Sequence, residues 1–159
     1  MKLLVMSDSH RNISRMLYAA QQTTPDVIIH LGDHISDALE LQQQFPDAIY
    51  YMVKGNCDAY TGGASELFLA LGGVGIFITH GNSYGVKRGL DALVNEARRR
   101  EADLALYGHT HQSLIRQMPG LWLMNPGQME RHGGVRIASY GIVSISGGKF
   151  ECRIEYLPL

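Results

Sequence analysis

This 159-residue sequence contains little of what marks a secreted or membrane-bound protein. It has two cysteines, Cys57 and Cys152, which form no CxxC pair, so the sequence predicts no disulfide framework. The four apolar residues after Lys2 are too few for a signal-peptide core. No later apolar run approaches membrane-spanning length. We therefore predict a cytoplasmic protein without membrane contact.

The sequence also lacks an excess of charge of one sign. Its 14 basic and 15 acidic residues give a formal net charge of −1. Broad binding to nucleic acid requires a basic face, which this balance does not favour. A nucleotide-like small molecule in a pocket is compatible with the composition, and so is a homo-oligomer.

Nothing divides the chain into parts. Hydrophobic residues make up 45% of it, and no linker, repeat or low-complexity tract interrupts it. A chain of this length is long enough to bury its own core. We predict a single domain over residues 1–159.

Apolar runs and helical patterns alternate in the first two-thirds, and the last third has the pattern of antiparallel hairpins. The predicted strands lie at 2–6, 27–31, 48–53, 65–71, 75–79, 104–107, 114–118, 121–125, 139–146 and 149–156. The predicted helices lie at about 13–22, 36–44 and 86–99, with Ser36 as an N-cap. This order predicts an α/β (α+β) fold with two mixed β-sheets packed as a sandwich and flanked by helices, in four αββα layers.

Five of the apolar runs end directly before side chains that can bind metal ions. These side chains are Asp8, His10, Asp33, Asn56, His80, His109 and His111. Sites in α/β proteins form just beyond the carboxyl ends of parallel strands, so we expect the seven to meet there. Together they can ligate two metal ions that share one carboxylate. An unrelated loop position would explain any one of them better, but not all seven.

The remaining histidines receive other interpretations. His30 falls inside a strand pattern and is predicted to be a hydrogen-bonded structural residue. His34 either orients the site or is an ordinary loop residue, and His132 is predicted to be an exposed loop residue.

The ordered motifs resemble those of a known family. They are Asp8-Ser9-His10, Gly32-Asp33, Gly55-Asn56-Cys57-Asp58, His80-Gly81 and Gly108-His109-Thr110-His111. In this order they resemble the calcineurin-like metallophosphoesterase superfamily, in particular its small single-domain bacterial and archaeal phosphodiesterases. The resemblance extends from Asp8 to the turn Asn125-Pro126-Gly127.

This resemblance implies two divalent transition-metal ions bridged by Asp33. The first would be held by Asp8, His10, Asp33 and His111. The second would be held by Asp33, Asn56, His80 and His109, the four residues to which the resemblance also assigns catalytic roles. Imidazole with carboxylate suits manganese, our first expectation, and also nickel, iron, zinc or cobalt.

The implied activity is that of a phosphodiesterase, in which a metal-bridging hydroxide attacks the phosphorus of a small or nucleotide-like substrate. Two alternatives remain. One is a phosphomonoesterase with the same site, and the other is a non-catalytic scaffold like the retromer subunit of this fold, which departs from the ligand set. Many superfamily members carry a histidine after the motif's asparagine, where it is thought to protonate the leaving group. Here Cys57 takes that position, and we interpret it as a small, inert side chain.

Overall fold

The computed structural model describes residues 1–130 and 137–158, so His132 lies outside the described residues. The described part contains ten β-strands and three α-helices. The strands are β1 Lys2–Met6, β2 Val27–His30, β3 Ile49–Met52, β4 Glu66–Leu71, β5 Val74–Thr79, β6 Leu104–Leu106, β7 Leu114–Met118, β8 Leu121–Asn125, β9 Ser139–Ser146 and β10 Lys149–Tyr156. The helices are α1 Ile13–Thr23, α2 Ile35–Gln44 and α3 Asp91–Arg99.

The strands form two mixed five-stranded sheets. The first has the order β10-β9-β1-β2-β3, and β1, β2 and β3 run parallel. The second has the order β4-β5-β6-β8-β7, and β5, β6 and β8 run parallel. Because each sheet has a parallel group, the carboxyl ends of several strands meet at one edge, where α/β proteins place their sites.

The predicted four-layer α/β sandwich is confirmed by the packing. Leu3 and Val5 belong to the apolar cluster between the sheets, whereas Leu4 and Met6 belong to the cluster beneath α1 and α2. Strand β1 is therefore buried on both faces, which explains its unbroken apolar run. Helix α3 covers the outer face of the second sheet around Phe77. In the described part of the chain, no helix combines the length and apolar character that crossing a bilayer requires.

The prediction that Ser36 caps a helix is wrong. Helix α2 begins one residue earlier, at Ile35, so Ser36 lies inside it. The N–H of Ile35 donates to Asp58 Oδ1 at 3.0 Å. This contact from a distant loop satisfies a helix-start N–H that a capping side chain would otherwise satisfy.

Helix α3 begins at Asp91, five residues later than predicted. The preceding chain forms a 3-10 turn at Asn82–Tyr84, and Gly85 then has φ +60°. Glycine lowers helix propensity, and Gly89 falls in the predicted first turn. The segment 82–90 consequently stays irregular and forms one wall of the site described below.

Candidate metal centre

The seven candidate ligands lie at the carboxyl ends of parallel strands from both sheets. Asp8 and His10 follow β1, Asp33 follows β2, Asn56 follows β3, His80 follows β5, and His109 and His111 follow β6. Within each sheet, neighbouring loops are joined by backbone hydrogen bonds. The Asp8 N–H donates to the Gly32 carbonyl at 3.0 Å, and the Gly108 N–H donates to the His80 carbonyl at 2.9 Å.

Four of these side chains form a first group. Asp8, His10, Asp33 and His111 present ligand atoms that all lie within 4.8 Å of one another. His111 Nε2 lies 3.0 Å from Asp8 Oδ1. Nevertheless, Asp8 Oδ1 and His10 Nε2 are buried and have no well-directed hydrogen bond within the described residues. Buried polar atoms without a hydrogen bond destabilise a fold. This group therefore fits a bound cation, which would satisfy both atoms.

A second group surrounds His80 Nε2. His80 Nδ1 lies 2.8 Å from the Leu31 carbonyl oxygen, so Nδ1 carries the proton and donates it there. Nε2 then faces Asn56 Oδ1 at 3.1 Å and His109 Nδ1 at 3.2 Å. Asp33 Oδ2 lies 3.5 Å from the same nitrogen. Such a convergence of lone pairs fits a cation at its centre better than mutual hydrogen bonding.

Asp33 belongs to both groups. Its side chain is buried, and Oδ1 accepts a hydrogen bond from the Cys57 N–H at 2.9 Å. Gly55 makes this approach possible, since a Cβ there would lie 2.1 Å from Asp33 Oδ1. The glycine of the Gly55-Asn56 motif therefore makes room for the shared carboxylate.

Five of the seven candidates adopt left-handed backbone conformations. Their φ values are 52° at Asp8, 44° at His10, 58° at Asp33, 68° at His109 and 60° at His111. This region costs a non-glycine residue roughly 1–2 kcal/mol, and such strain is concentrated at functional sites. The sequence pattern contained no signal for it.

The short turn at Gly108–His111 directs its two histidines to different groups. His111 faces Asp8, whereas His109 faces His80. This segment is a turn rather than an extended strand, so the two side chains diverge. Asn125 holds the turn, because its Nδ2 donates to the Gly108 carbonyl and to Thr110 Oγ1, each at 3.0 Å. No pattern in the sequence indicates this role for Asn125.

His30 is buried and hydrogen-bonded, as predicted. Its Nδ1 accepts the Gly32 N–H at 3.2 Å, and its Nε2 lies 2.9 Å from Ser9 Oγ. Ser9 donates to Asp37 Oδ2 at 2.7 Å, and the Arg11 N–H donates to the same oxygen at 2.7 Å. This network joins the loop after β1 to the loop after β2. His34 stands edge-on to His10, with ring centroids 4.9 Å apart.

The charges in the site suit ligation. Burial alone would raise the pKa of Asp8, but the adjacent His111 and His80 outweigh it and lower that pKa to about 2. Burial also lowers the pKa of His109, whereas the Asp8 carboxylate, 3.0 Å away, raises the pKa of His111. Near neutral pH, Asp8 is therefore a carboxylate and His109 a neutral imidazole, the forms that bind metals.

The structure thus defines an α/β protein whose two sheets carry a cluster of aspartate and histidine that can bind metal. A model of the calcineurin-like phosphoesterase superfamily domain matches residues 1–148, and the chain belongs to this family.

Two relatives and two solved structures are similar to the chain. The chain is 32% identical to YsnB, a probable metallophosphoesterase of Bacillus subtilis, over 96% of this chain and 89% of that protein. It is 26% identical to the phosphodiesterase YfcE of Escherichia coli K12, over 90% and 87%. A predicted phosphoesterase from Streptococcus pneumoniae TIGR4 superposes with a TM-score of 0.80 at 26% identity, covering 98% of this chain and 88% of that one. Vps29 from Entamoeba histolytica, complexed with zinc, superposes at 0.78 with 19% identity over 98% and 99%, which shows a shared fold. Membership of this family supports the assignment of the chain as a phosphoester hydrolase.

Proposed function

We propose that this protein is a two-metal-dependent phosphodiesterase. One observation carries the proposal: the buried Asp33 carboxylate belongs both to the Asp8 group and to the His80 group. Two cations roughly 3.5–4 Å apart repel each other, and a shared anion between them offsets that repulsion. Asp8, His10, Asp33 and His111 would hold one ion, and Asp33, Asn56, His80 and His109 would hold the other.

Divalent ions bound at these two sets supply a nucleophile at neutral pH by lowering the pKa of water, and they neutralise phosphoryl oxygens. The chain supplies the positions. The Leu31 carbonyl fixes the tautomer of His80, so that Nε2 faces the centre. The Cys57 N–H holds Asp33, and the turn supported by Asn125 aims His109. We propose manganese first, then nickel, iron, zinc or cobalt, because imidazole with carboxylate suits these ions.

Charge favours a diester as substrate. Two divalent ions with the carboxylates of Asp8 and Asp33 sum to about +2, and an anionic nucleophile reduces this to about +1. A singly charged phosphodiester then brings the net charge of the site near zero, whereas a doubly charged phosphomonoester would leave an excess of negative charge. The relationship to YfcE, a phosphodiesterase, also supports this choice. A small-molecule substrate and a cytoplasmic location remain predictions.

The proposal is tested with a panel of aryl diesters and monoesters on metal-reconstituted protein. We expect diester hydrolysis to exceed monoester hydrolysis and to require added metal. Turnover of monoesters alone would support a phosphomonoesterase instead. Full metal occupancy without any hydrolysis would support a scaffold.

The bridging role of Asp33 predicts that Asp33→Asn loses metal from both groups, because the variant lacks the anion between the cations. Inductively coupled plasma mass spectrometry should show a fall from about two bound equivalents to less than one. The exposed Asp47 offers a matched control, since Asp47→Asn makes the same change far from the site. A variant Asp33→Asn that keeps both equivalents and its activity would contradict the bridge.

A further inference from the structure

Beside the second ligand group lies a cleft between the irregular segment 82–90 and strand β7. It consists of two adjoining cavities of about 480 and 470 Å³, which share Val86, Lys87 and His109. Both volumes fall within the range of roughly 300–1,000 Å³ that is usual for ligand pockets. Because His109 lines both cavities, a substrate held at the candidate metal centre would extend one of its arms into this cleft.

The lining of this cleft is positively charged. Lys87 and Arg116 line the larger cavity, Lys87 and Arg88 line the smaller one, and no acidic residue lines either. Within the described residues, none of the three cations has an ion-pair or hydrogen-bond partner for its side chain. In a chain with a net charge of −1, three unpaired cations beside one cleft are a local excess. We call this feature, with Lys87, Arg88 and Arg116, the cation cleft.

The charge around the centre is also asymmetric. Glu130 Oε2 lies 4.0 Å from His10 Nε2, on the side of the first group. Lys87 lies beside the second group, because it lines both cavities together with His109. An anionic arm is therefore favoured in the cation cleft.

The cation cleft also has apolar walls. Val86 is buried and Leu90 and Leu114 are half-buried, and all three line the larger cavity together with Tyr107. Apolar walls of this kind can contact the flat or hydrocarbon part of a substrate arm, and the cations can bind an anionic group attached to that arm. This combination matches a nucleotide better than a bare phosphate ion.

We propose that the cation cleft binds a second phosphate group, so that the substrate is a phosphodiester with one nucleotide-like arm that carries a further phosphate. This inference rests on the proposed phosphodiesterase function, which it makes more specific. Cations at a cleft mouth also raise the rate at which anionic ligands arrive.

A matched pair of substrates tests the inference. Thymidine 5′-(p-nitrophenyl phosphate) and its 3′-phosphorylated form release the same nitrophenolate and differ only in the second phosphate. We expect the 3′-phosphate to raise kcat/KM about fivefold, as two exposed charge contacts would. The gain should appear mainly in KM, since these contacts lie away from the reacting atoms. It should shrink as ionic strength rises.

Variants assign the preference to the cleft. Lys87→Gln combined with Arg116→Gln should bring the ratio of the two kcat/KM values to about one, and Arg116→Glu alone should lower it below the wild-type value. Lys149→Gln removes a charge from the start of β10, near the amino end of β1, and should keep the wild-type ratio. Circular dichroism confirms that each variant is folded. A wild-type ratio of one, or an unchanged ratio in the double variant, would overturn the inference.

A binding measurement separates this inference from the proposed function. Calorimetry on the protein as purified compares thymidine 3′,5′-bisphosphate with thymidine 5′-monophosphate, and released phosphate is assayed in the same samples. Tighter binding of the bisphosphate, lost in the double variant, would support the cleft even if no diester is hydrolysed. Diester hydrolysis with equal binding of both ligands would reject the cleft alone.

Discussion

Cys57 contributes to the site through its backbone rather than through its thiol. Its N–H donates to Asp33 Oδ1, whereas its side chain is exposed and Sγ lies 3.8 Å from Asn56 Nδ2. Partial desolvation, with nearby Asp33, raises the pKa of the thiol to about 11. Cys57 is thus a neutral thiol at the position where many superfamily members have a histidine.

This geometry predicts weak protonation of the leaving group. A general acid is typically worth about 10²–10⁴-fold in rate, so wild-type activity should depend steeply on the leaving-group pKa. Cys57→His should flatten that dependence, and Cys57→Ala should change little. Both oxygens of Asp58 already accept backbone N–H groups, from Ile35 and Gly55, so water must orient the new imidazole.

The measurement is a series of aryl diesters of graded leaving-group pKa, run on the three proteins at equal metal content. Loss of activity in Cys57→Ala, with metal content unchanged, would show that the thiol takes part in catalysis.

His30 contributes to stability in a pH-dependent manner. Burial lowers its pKa to about 4, because the folded protein has no water to solvate the imidazolium. The unfolded chain titrates near 6.5 and so binds more protons than the folded protein between about pH 4 and 6.5. The free energy of unfolding should therefore fall as the pH drops through this window, by up to roughly 3 kcal/mol from this residue.

His30→Gln should flatten this dependence, because glutamine keeps a donor toward Ser9 but does not titrate. At pH 7 it should also cost about 1–3 kcal/mol, since the Gly32 N–H loses its acceptor. Urea unfolding of both proteins at pH 7 and pH 5, with chelator throughout, gives the difference. The other histidines are common to both proteins, so their contributions to the pH dependence cancel in the difference. If the free energy of unfolding changes equally between pH 7 and pH 5 in both proteins, His30 is not the group responsible.

At the scale of elements, the sequence was informative wherever a pattern is periodic and local. Strand β1 was predicted correctly, because its residues are apolar on both faces. The beginnings of α2 and α3 were missed, because Asp58 caps the first from 23 residues away and a glycine-containing turn delays the second. A helix start decided by a distant side chain leaves no local signal.

The candidate site follows the same rule. The seven side chains were found because each directly follows a strand, and that position is readable in the chain. The residues that position them could not be found in this way. Ser9, His30 and Asp37 connect the loop after β1 to strand β2 and helix α2, and Asn125 supports a turn that ends 14 residues before it. The left-handed backbone of the ligands depends on these tertiary contacts, so no local pattern predicts it.

At the scale of the whole molecule, the core and the site are separate. Three apolar clusters lie between the sheets, beneath α1 and α2, and beneath α3, and none of them contains a candidate ligand. Fully burying a large apolar side chain stabilises by about 1.5–3 kcal/mol, so these clusters account for much of the folding free energy. We propose that residues 1–159 form one domain around them.

This separation predicts that the fold survives removal of the metals. Chelation should abolish hydrolysis and leave the far-ultraviolet circular dichroism largely unchanged, unlike a zinc finger, which unfolds without its metal. The melting temperature should still fall by several degrees, because ions bound only to the folded state stabilise it by mass action, by about 2.7 kcal/mol at a hundredfold excess over Kd. The buried charges of Asp8 and Asp33 and the strained backbone of their loops also lose the ions that offset them. Returning the metal after the chelator has been removed should restore both activity and melting temperature, which serves as the control. Global unfolding on chelation would instead mean that the metals organise the core, and an unchanged melting temperature would mean that the protein as purified held no metal.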